Sequence, residues 1–350
     1  MHARALGLVA LILAAQGVLA TDPAAACKYQ QPWAEVRAAW GQTNAFAGTV
    51  IASKPVMAGT SCAGANDLAL SQAITATIDA GGIVLLGETH DNPEHHKLRA
   101  AMIEHAMLDA KRKPAAVFEH IRTDQFAGLV EFAEFNRTAR RLGTASDLLR
   151  FLDWDTSGWP DKAMFAPLFS AVIRAKLAIL PGDAPRDTVR RIAREGPSVL
   201  SSADLARLKL DQPLPEALND ALLTELEASH CGLVPKTAFT NMALAQRYRD
   251  AHIASQLVEA ADKHGAAILF AGNGHVRADR GVPYYLEQLA PNRKVLTVTL
   301  SEAVKDKTDA NTSMPMARDG RPAADFVVVT PATPRDDPCI GIREQFGKKK

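Results

Sequence analysis

The chain has 350 residues and a formal net charge of +1. Because it carries no surplus of basic side chains to neutralise phosphates, this balance argues against a nucleic-acid partner. The length allows one large domain, or one domain with an insert.

Residues 1–26 have the pattern of an export signal. Arg4 supplies an early positive charge, Ala5 to Ala20 is almost uninterrupted apolar sequence, and Val18-Leu19-Ala20 offers a cleavage pattern of small residues. The apolar run is short for a spanning helix, so we expect cleavage and a periplasmic or secreted protein. An uncleaved anchor and an outer-membrane lipoprotein attached through Cys27 are the alternatives.

The four cysteines are Cys27, Cys62, Cys231 and Cys339. None forms a C-x-x-C pair, which argues against a structural zinc site. An even count in an exported chain predicts two disulfides. We favour pairing Cys27 with Cys62 and Cys231 with Cys339, although all three connectivities are open.

After the signal, residues 27–80 are interpreted as an N-terminal extension that leads into a helix from Asp67 to Ala80. Residues 81–335 alternate short apolar runs with helical stretches, and residues 336–350 form a tail that ends in solvated lysines. The predicted strands are Ile83–Leu86, Ala115–Phe118, Leu177–Leu180 (stopped by Pro181-Gly182), Ala267–Ala271, Val295–Leu300 and Phe326–Val329. This alternation predicts a largely parallel sheet covered on both faces.

Two helical segments stand out within this pattern. Asn92 and Pro93 begin a helix after the first strand, since asparagine can cap free N–H groups and proline has none to lose. Residues 186–240 are charged, contain several prolines and show no strand pattern. We interpret them as a helical insert that forms a lid or wall over the site.

Polar residues follow several of the predicted strands. Glu88 and His90 follow the first, Glu119 and His120 the second, and His275 the fourth. Because ligands bind beyond the carboxyl ends of strands in open parallel sheets, we expect these side chains to meet in one crevice. Glycines in Gly87-Glu88-Thr89-His90 and Gly272-Asn273-Gly274-His275 let the backbone approach closely.

Such a set has two chemical uses. Glu88, His90, Glu119 and His275 could hold a divalent metal such as manganese, iron or zinc. Alternatively, a carboxylate could orient a histidine as a general base that acts on water. A hydrogen-bond network that only ties the loops to the sheet is the third interpretation, and the joint placement at strand ends favours a functional site.

His95 and His96 lie in the first turn of the helix that begins at Pro93. A helix N-terminus disfavours added positive charge, so neutral imidazoles are expected there. His96 either lines the crevice or has a capping or surface role.

A second constellation lies on the helix predicted from Thr240 to His264. Tyr248 and His252 are four residues apart and therefore share one face. Phenolate and imidazole are both ligands of haem iron. Arg249, Arg277 and Arg280 could meet propionate carboxylates. Ordinary packing is the alternative for the aromatic pair.

These motifs together resemble the ChaN-like haem-binding proteins, whose superfamily also includes the erythromycin esterases and the Tiki proteins. The matching stretches run in family order from about residue 81 to 330. They are LLGETHDNPEHHKLRAAMIE, VFEH, LLRFLDWDTSGWP, AQRYRDAHIA, FAGNGHVRADRGVPYYL and DFVVVTP.

The resemblance implies a three-layer α/β/α fold, haem binding, export and a part in haem or iron acquisition at the cell envelope. It also implies a homodimer that pairs two haems with tyrosine ligation, and an envelope transporter as partner. The motif positions carried over are Glu88, His90, Asp91, Asn92, His95, His96, Glu119, Asn273, His275 and Arg277.

By likeness to the esterases, the alternative is a hydrolase with Glu88, His90 and His275 as catalytic residues. No G-x-S-x-G motif is present, which argues against an acyl-enzyme route. The sequence therefore favours a binding protein whose cofactor site includes His90, His96, Glu119, Tyr248, His252, His275 and Arg277.

Overall fold

The computed structural model describes residues 33–38, 40, 46–54, 65–139, 142–234, 236–304, 309–337, 339–341 and 343. The expected signal, Cys27, Tyr29, Cys62 and the terminal lysines lie outside these residues. Within the described ranges, no helix is both long and apolar enough to cross a membrane.

Seven strands and thirteen α-helices are described in these ranges. The strands are β1 (Val50–Ala52), β2 (Ile83–Leu86), β3 (Ala115–Arg122), β4 (Ile179–Asp183), β5 (Ala267–Phe270), β6 (Val295–Glu302) and β7 (Phe326–Thr330). The helices are α1 (Ala34–Ala38), α2 (Ala65–Asp79), α3 (Pro93–Asp109), α4 (Phe126–Thr138), α5 (Ala145–Phe151), α6 (Trp154–Ser157), α7 (Lys162–Arg174), α8 (Arg186–Glu195), α9 (Ser202–Arg207), α10 (Glu216–Ser229), α11 (Thr240–His264), α12 (Asn273–Val276) and α13 (Val282–Leu289).

The strands form one sheet in the order β1-β7-β6-β2-β5-β3-β4, in which only β1 is antiparallel to its neighbour. Successive residues of a strand face opposite sides of the sheet. Val84 and Leu86 accordingly pack with α2, α3 and α7 on one face, whereas Ile83 and Leu85 pack with α11 and α13 on the other. The predicted three-layer fold with a mostly parallel sheet is confirmed.

The strand predicted over Leu177–Leu180 is displaced. β4 runs from Ile179 through Pro181 and Gly182 to Asp183, so the prediction that Pro181-Gly182 ends the strand is wrong. β4 lies at the edge of the sheet and pairs only with β3. An edge strand needs ladder hydrogen bonds on one side only, which is why it tolerates proline.

β3 is longer than predicted. Its pairing with β5 ends at Phe118, but it continues beside β4 as far as Arg122. Glu119 and His120 therefore lie inside the last part of the strand rather than after it. A strand that the sequence analysis did not find, β1, lies within residues 27–80 and pairs with β7.

The chain between β4 and α11 is helical in its described part, with α8, α9 and α10 in succession. Leu214 and Leu222 pack α10 against Ala243 of α11 in a small cluster separate from the main core. Shortly after α10, Cys231 is bonded to Cys339, with the two Cα atoms 5.6 Å apart. This bond joins the helical segment to the C-terminal part of the chain.

Candidate functional site

A cleft of about 410 Å³ opens at the carboxyl ends of β2, β3 and β5, where an open parallel sheet is expected to bind ligands. The loops after β2 and β5 form its floor, and α10 and α11 form its walls. Among its lining residues are Glu88, His90, Glu119, Leu222, Glu225, Leu226, Gln246, Arg249, Asp250, Gly272, His275 and Arg280.

His90 presents the most accessible imidazole of the cleft, with 36% of its side chain exposed. Its Nδ1 lies 2.7 Å from Oε1 of Glu88 and donates to it. The nearest acidic oxygen to Nε2 is Glu119 Oε1 at 4.0 Å, beyond hydrogen-bond distance. Burial lowers the pKa of His90, although Glu119 acts in the opposite direction. The ring is therefore neutral at pH 7 and keeps a lone pair on Nε2.

Gly272 makes room for this ring. A Cβ atom at Gly272 would lie 2.8 Å from Nε2 of His90, closer than van der Waals contact allows. Because Gly272 has no side chain, the loop that carries it can pack directly against the His90 ring of the other motif.

Glu88 is buried beneath His90 and holds several groups at once. Its Oε1 accepts from Nε2 of His120 at 2.6 Å as well as from His90. Its Oε2 forms an ion pair with the guanidinium of Arg99. Arg99 is completely buried, and burial lowers its pKa to about 9. Glu88 is thereby fixed in place.

His96 supports the site from below and does not line the cleft. It is fully buried, and its Nε2 donates to the backbone oxygen of His90 at 2.9 Å. Its Nδ1 accepts from Nη2 of Arg99 at 2.9 Å. Burial lowers the pKa of His96 to about 4, so the ring is neutral. His96 therefore neither lines the cleft nor has a capping or surface role. Instead it holds the backbone of His90 in place.

His275 and Glu119 form a second charged group on the other side of the cleft. Nε2 of His275 donates to Oε1 of Glu119 at 3.1 Å, and Nδ1 donates to Oδ1 of Asp250 at 2.6 Å. Burial alone would lower the pKa of His275, but the two carboxylates raise it to about 10. His275 is thus an imidazolium with both nitrogens occupied, and it has no lone pair for a metal or a proton.

Glu119 is held as a carboxylate. Burial opposes its ionisation, yet His275 and Arg249 keep its pKa well below the usual range. Arg249 donates to Glu119 Oε1 at 2.8 Å, and the Gly272 N–H donates to Oε2 at 2.7 Å. Arg249 also donates to both oxygens of Asp183 at the end of β4, so its guanidinium links the ends of β3 and β4.

The structure brings together the four residues that were expected to converge, but as two groups. Glu88 with His90 forms one, and Glu119 with His275 forms the other. Among the described residues, Glu88, His90 and His120 have ligand atoms that all lie within 4.8 Å of one another, which is close enough to hold a metal ion. Their separations of 2.6 and 2.7 Å are those of hydrogen bonds. The predicted four-residue metal set is therefore not assembled, because the Glu119–His275 ion pair uses two of its members.

The Tyr248–His252 pair lies outside the cleft. The two residues share one face of α11 as predicted, with ring centroids 6.0 Å apart. Tyr248 is buried in the same apolar cluster as Ile192 and Leu208, and burial raises its pKa. His252 reaches only Oγ1 of Thr123, at 3.5 Å.

Arg277 and Arg280 differ in where they point. Arg277 pairs with Asp279 and lines a neighbouring cavity. Arg280 lines the cleft and pairs with Asp279 and with Glu225 of α10. Of the two, Arg280 is placed to meet a ligand in the cleft.

Several motif positions hold the loops together, and one of them, Asn273, also lines the cleft. Asp91 pairs with Arg335. Asn92 caps α3 by accepting from the Glu94 N–H, as its sequence pattern predicted. The side chain of Asn273 bonds the backbone of Leu300 in β6.

Sequence reasoning missed Asp250, Gln246 and Arg99. Gln246 and Asp250 are four residues apart on α11 and both line the cleft, so their spacing was an available signal. Arg99 gave no signal, because an arginine among apolar helix positions is normally exposed and its burial depends on Glu88 of another segment.

The fold and the cleft define an α/β protein with a carboxylate–histidine ligand site at the carboxyl edge of a mostly parallel sheet. A family model described as haem-binding uptake, Tiki superfamily, ChaN matches residues 74–286, which is more than half of the chain. The chain belongs to this family.

One solved structure agrees with the fold, and a second is more distantly similar. The structure titled as cofacial haem binding to ChaN of Campylobacter jejuni has a TM-score of 0.53 and 19% identity, covering 73% of this chain and 89% of that one. A histidine-to-asparagine mutant of the erythromycin esterase EreC in its open conformation has a TM-score of 0.44 and 14% identity, covering 83% and 99%. No curated protein sequence matches the chain.

Proposed function

We propose that this protein binds haem in the cleft, with the iron held by Nε2 of His90. The observation that carries the proposal is the bond from His90 Nδ1 to Glu88, at 2.7 Å, which leaves Nε2 unprotonated and facing the cleft. Metal-binding histidines commonly donate their other N–H to a carboxylate in this way. Imidazole is also a common axial ligand of haem iron. Family membership supports haem as the bound molecule.

The surroundings of His90 suit a flat, partly apolar ligand. Trp159 lies against the imidazole, with ring centroids 4.9 Å apart. Leu222 and Leu226 of α10 supply apolar contacts on the opposite wall. Arg280 also lines the cleft, where it pairs with Glu225 and Asp279. These residues would hold and orient the macrocycle, while the iron is the part that Nε2 contacts.

The described tyrosines do not offer the phenolate that the family resemblance implied. Burial raises the pKa of Tyr248 and of Tyr285, which disfavours the charged form. The Tyr285 hydroxyl also accepts from Arg247 Nε at 3.0 Å. Tyr284 packs edge-on against Tyr285 and lies outside the cleft lining. An imidazole ligand therefore replaces tyrosine in this proposal.

We further propose that the protein is exported after loss of residues 1–26 and handles haem at the cell envelope, delivering it to a transporter. The related ChaN of Campylobacter jejuni is described as binding haem cofacially. By extension, two copies of this chain would meet around paired haems. Mass measurement of protein from its native host tests the cleavage, and sedimentation with and without hemin tests the pairing.

Hemin titration of the purified protein tests the ligand assignment. We expect the wild type to give a Soret band shifted from that of free hemin and typical of nitrogen ligation. His90→Gln should lose that band and weaken binding at least about tenfold, equivalent to 1.4 kcal/mol. Circular dichroism would verify that the variant is folded.

Tyr248→Phe and His252→Gln serve as matched controls, because both residues lie outside the cleft. Their spectra should equal that of the wild type. A spectrum that changes in Tyr248→Phe but survives in His90→Gln would refute the assignment of His90. A wild-type spectrum identical to free hemin would refute haem binding altogether.

A hydrolase is the second candidate, and one observation favours it. Glu88 orients a neutral His90 whose Nε2 can take a proton from water, while the cationic His275 and Arg280 border the same cleft. The water oxygen would attack an ester carbonyl, and His90 would then return the proton to the leaving alkoxide.

Assaying a panel of lactones and simple esters tests this candidate. Activity should fall by about 10² to 10⁴ in His90→Ala, the range typical of losing a general base, with Thr89→Ser as the control variant. Absence of turnover by the wild type across the panel, with and without manganese or zinc, would end it.

A further inference from the structure

A second cavity of about 330 Å³ adjoins the cleft on the side of β4. It lies between the end of β3, the first two turns of α8 and the loop around Trp159. Four guanidinium groups border it, from Arg122, Arg186, Arg190 and Arg249, together with the indole of Trp159 and the carboxylate of Asp183. No motif from the sequence analysis falls on Arg186 or Arg190.

Two of the four arginines are already committed. Arg249 pairs with Asp183 and Glu119, and Nε of Arg122 donates to Asp124 at 3.0 Å. Asp183, the acidic residue of the cavity wall, is therefore neutralised. Arg186 and Arg190 are exposed, and among the described residues neither has a carboxylate within ion-pair distance. The cavity thus has an unbalanced positive charge.

This arrangement is unfavourable for the protein alone. Arg186 and Arg190 are four residues apart on α8, and like charges at that spacing destabilise a helix. Arg186 is also the first residue of the helix, where the helix dipole disfavours cations. Asp187 in the same turn is exposed and is not part of the cavity lining. An oxyanion in the cavity would offset both costs through charge-assisted hydrogen bonds.

The cavity is adjacent to the proposed haem cleft. Arg249 borders both, and Trp159 lines the cavity while lying 4.9 Å from His90, between ring centroids. A ligand in contact with His90 can therefore extend past Trp159 to the free arginines.

We propose that this cavity binds the carboxylate or phosphate end of the ligand whose body lies at His90. The inference rests on the proposed function for its ligand, and it adds that the site selects acidic ligands through Arg186 and Arg190. The protein would then discriminate between an acidic ligand and its neutral ester.

Comparing hemin with hemin dimethyl ester tests the proposal, because esterification removes only the two propionate charges. The wild type should bind hemin about tenfold more tightly than the ester, and added salt should reduce the difference. In Arg186→Gln/Arg190→Gln the preference should vanish. The matched control is Arg191→Gln/Arg194→Gln, which removes two charges from the same helix outside the cavity and should keep the preference.

The outcomes separate the two proposals. Equal binding of both compounds by the wild type, or a preference that persists in Arg186→Gln/Arg190→Gln, overturns the anion site and leaves haem binding intact. If neither compound binds, haem binding fails, and calorimetry with inorganic pyrophosphate decides about the cavity. Pyrophosphate binding by the wild type but not by Arg186→Gln/Arg190→Gln then supports the anion site, and any other result overturns it.

Discussion

Glu88 and Arg99 form an ion pair that is completely enclosed by the protein, directly beneath His90. Removing two charges from water is costly, and a pair of this kind is retained only when further hydrogen bonds satisfy it. Here His90 and His120 both donate to the carboxylate. The same bonds fix which nitrogen of His90 carries the proton, so the buried charges determine what the exposed nitrogen can do.

His95 gives a prediction about acid stability. It is fully buried, its Nδ1 accepts from the Thr89 N–H at 2.8 Å, and burial lowers its pKa to about 3. In the unfolded chain His95 takes up a proton below about pH 6.5, whereas in the folded chain it stays neutral down to a much lower pH. The stabilisation from neutral His95 is therefore complete above that pH and is lost as the pH falls toward 3, at up to about 1.4 kcal/mol per pH unit.

Urea unfolding at several pH values measures this effect. In His95→Asn the amide oxygen can still accept from Thr89. Between pH 6 and 4, the slope of the unfolding free energy against pH should be smaller than in the wild type by the equivalent of about one proton taken up on unfolding. His105→Asn on the same helix is the control. Equal slopes for His95→Asn and the wild type would show that His95 does not resist protonation.

At the scale of elements, the sequence identified the segments that are buried on both faces. β2, β5 and all but the last residue of β7 are continuous apolar runs, and their existence was predicted from that pattern. The missed strand and the displaced strand lie at the edges of the sheet. β1 has three residues and no distinctive pattern, and β4 contains a proline that only an edge strand accepts. Edge strands depend on tertiary pairing, which local sequence does not encode.

Helix α10 gives a prediction at the same scale. It forms a wall of the cleft through Leu222, Glu225 and Leu226, and it belongs to a small apolar cluster of its own. The Cys231–Cys339 bond follows it and spans 108 residues of sequence. Closing a loop of that length restricts the unfolded chain strongly.

Cys231→Ser/Cys339→Ser should lower the free energy of unfolding by about 2–5 kcal/mol, the usual range for a native disulfide. Denaturant titration measures the change, and the reduced wild type should behave like the double variant. A variant as stable as the oxidised wild type would mean that the loop closure contributes nothing to folding.

For the whole molecule, the position of the site was predictable and its internal arrangement was not. Strand ends of a parallel sheet share one edge, which placed Glu88, His90, Glu119 and His275 together. Which carboxylate pairs with which imidazole depends on α11, because Asp250 completes the partners of His275. That helix approaches from a distant part of the chain, so no local pattern could reveal the contact.

The two borders of the sheet bear on how copies of the chain can associate. One border is the very short β1 and the other is β4, with Pro181 in its middle. Short strands and prolines are poor templates for adding a strand from another molecule. Any self-association is therefore expected to engage loops or helices rather than to join strands. Under the proposed pairing around haem, the contact between two copies would fall on the loop rim, where the cleft opens.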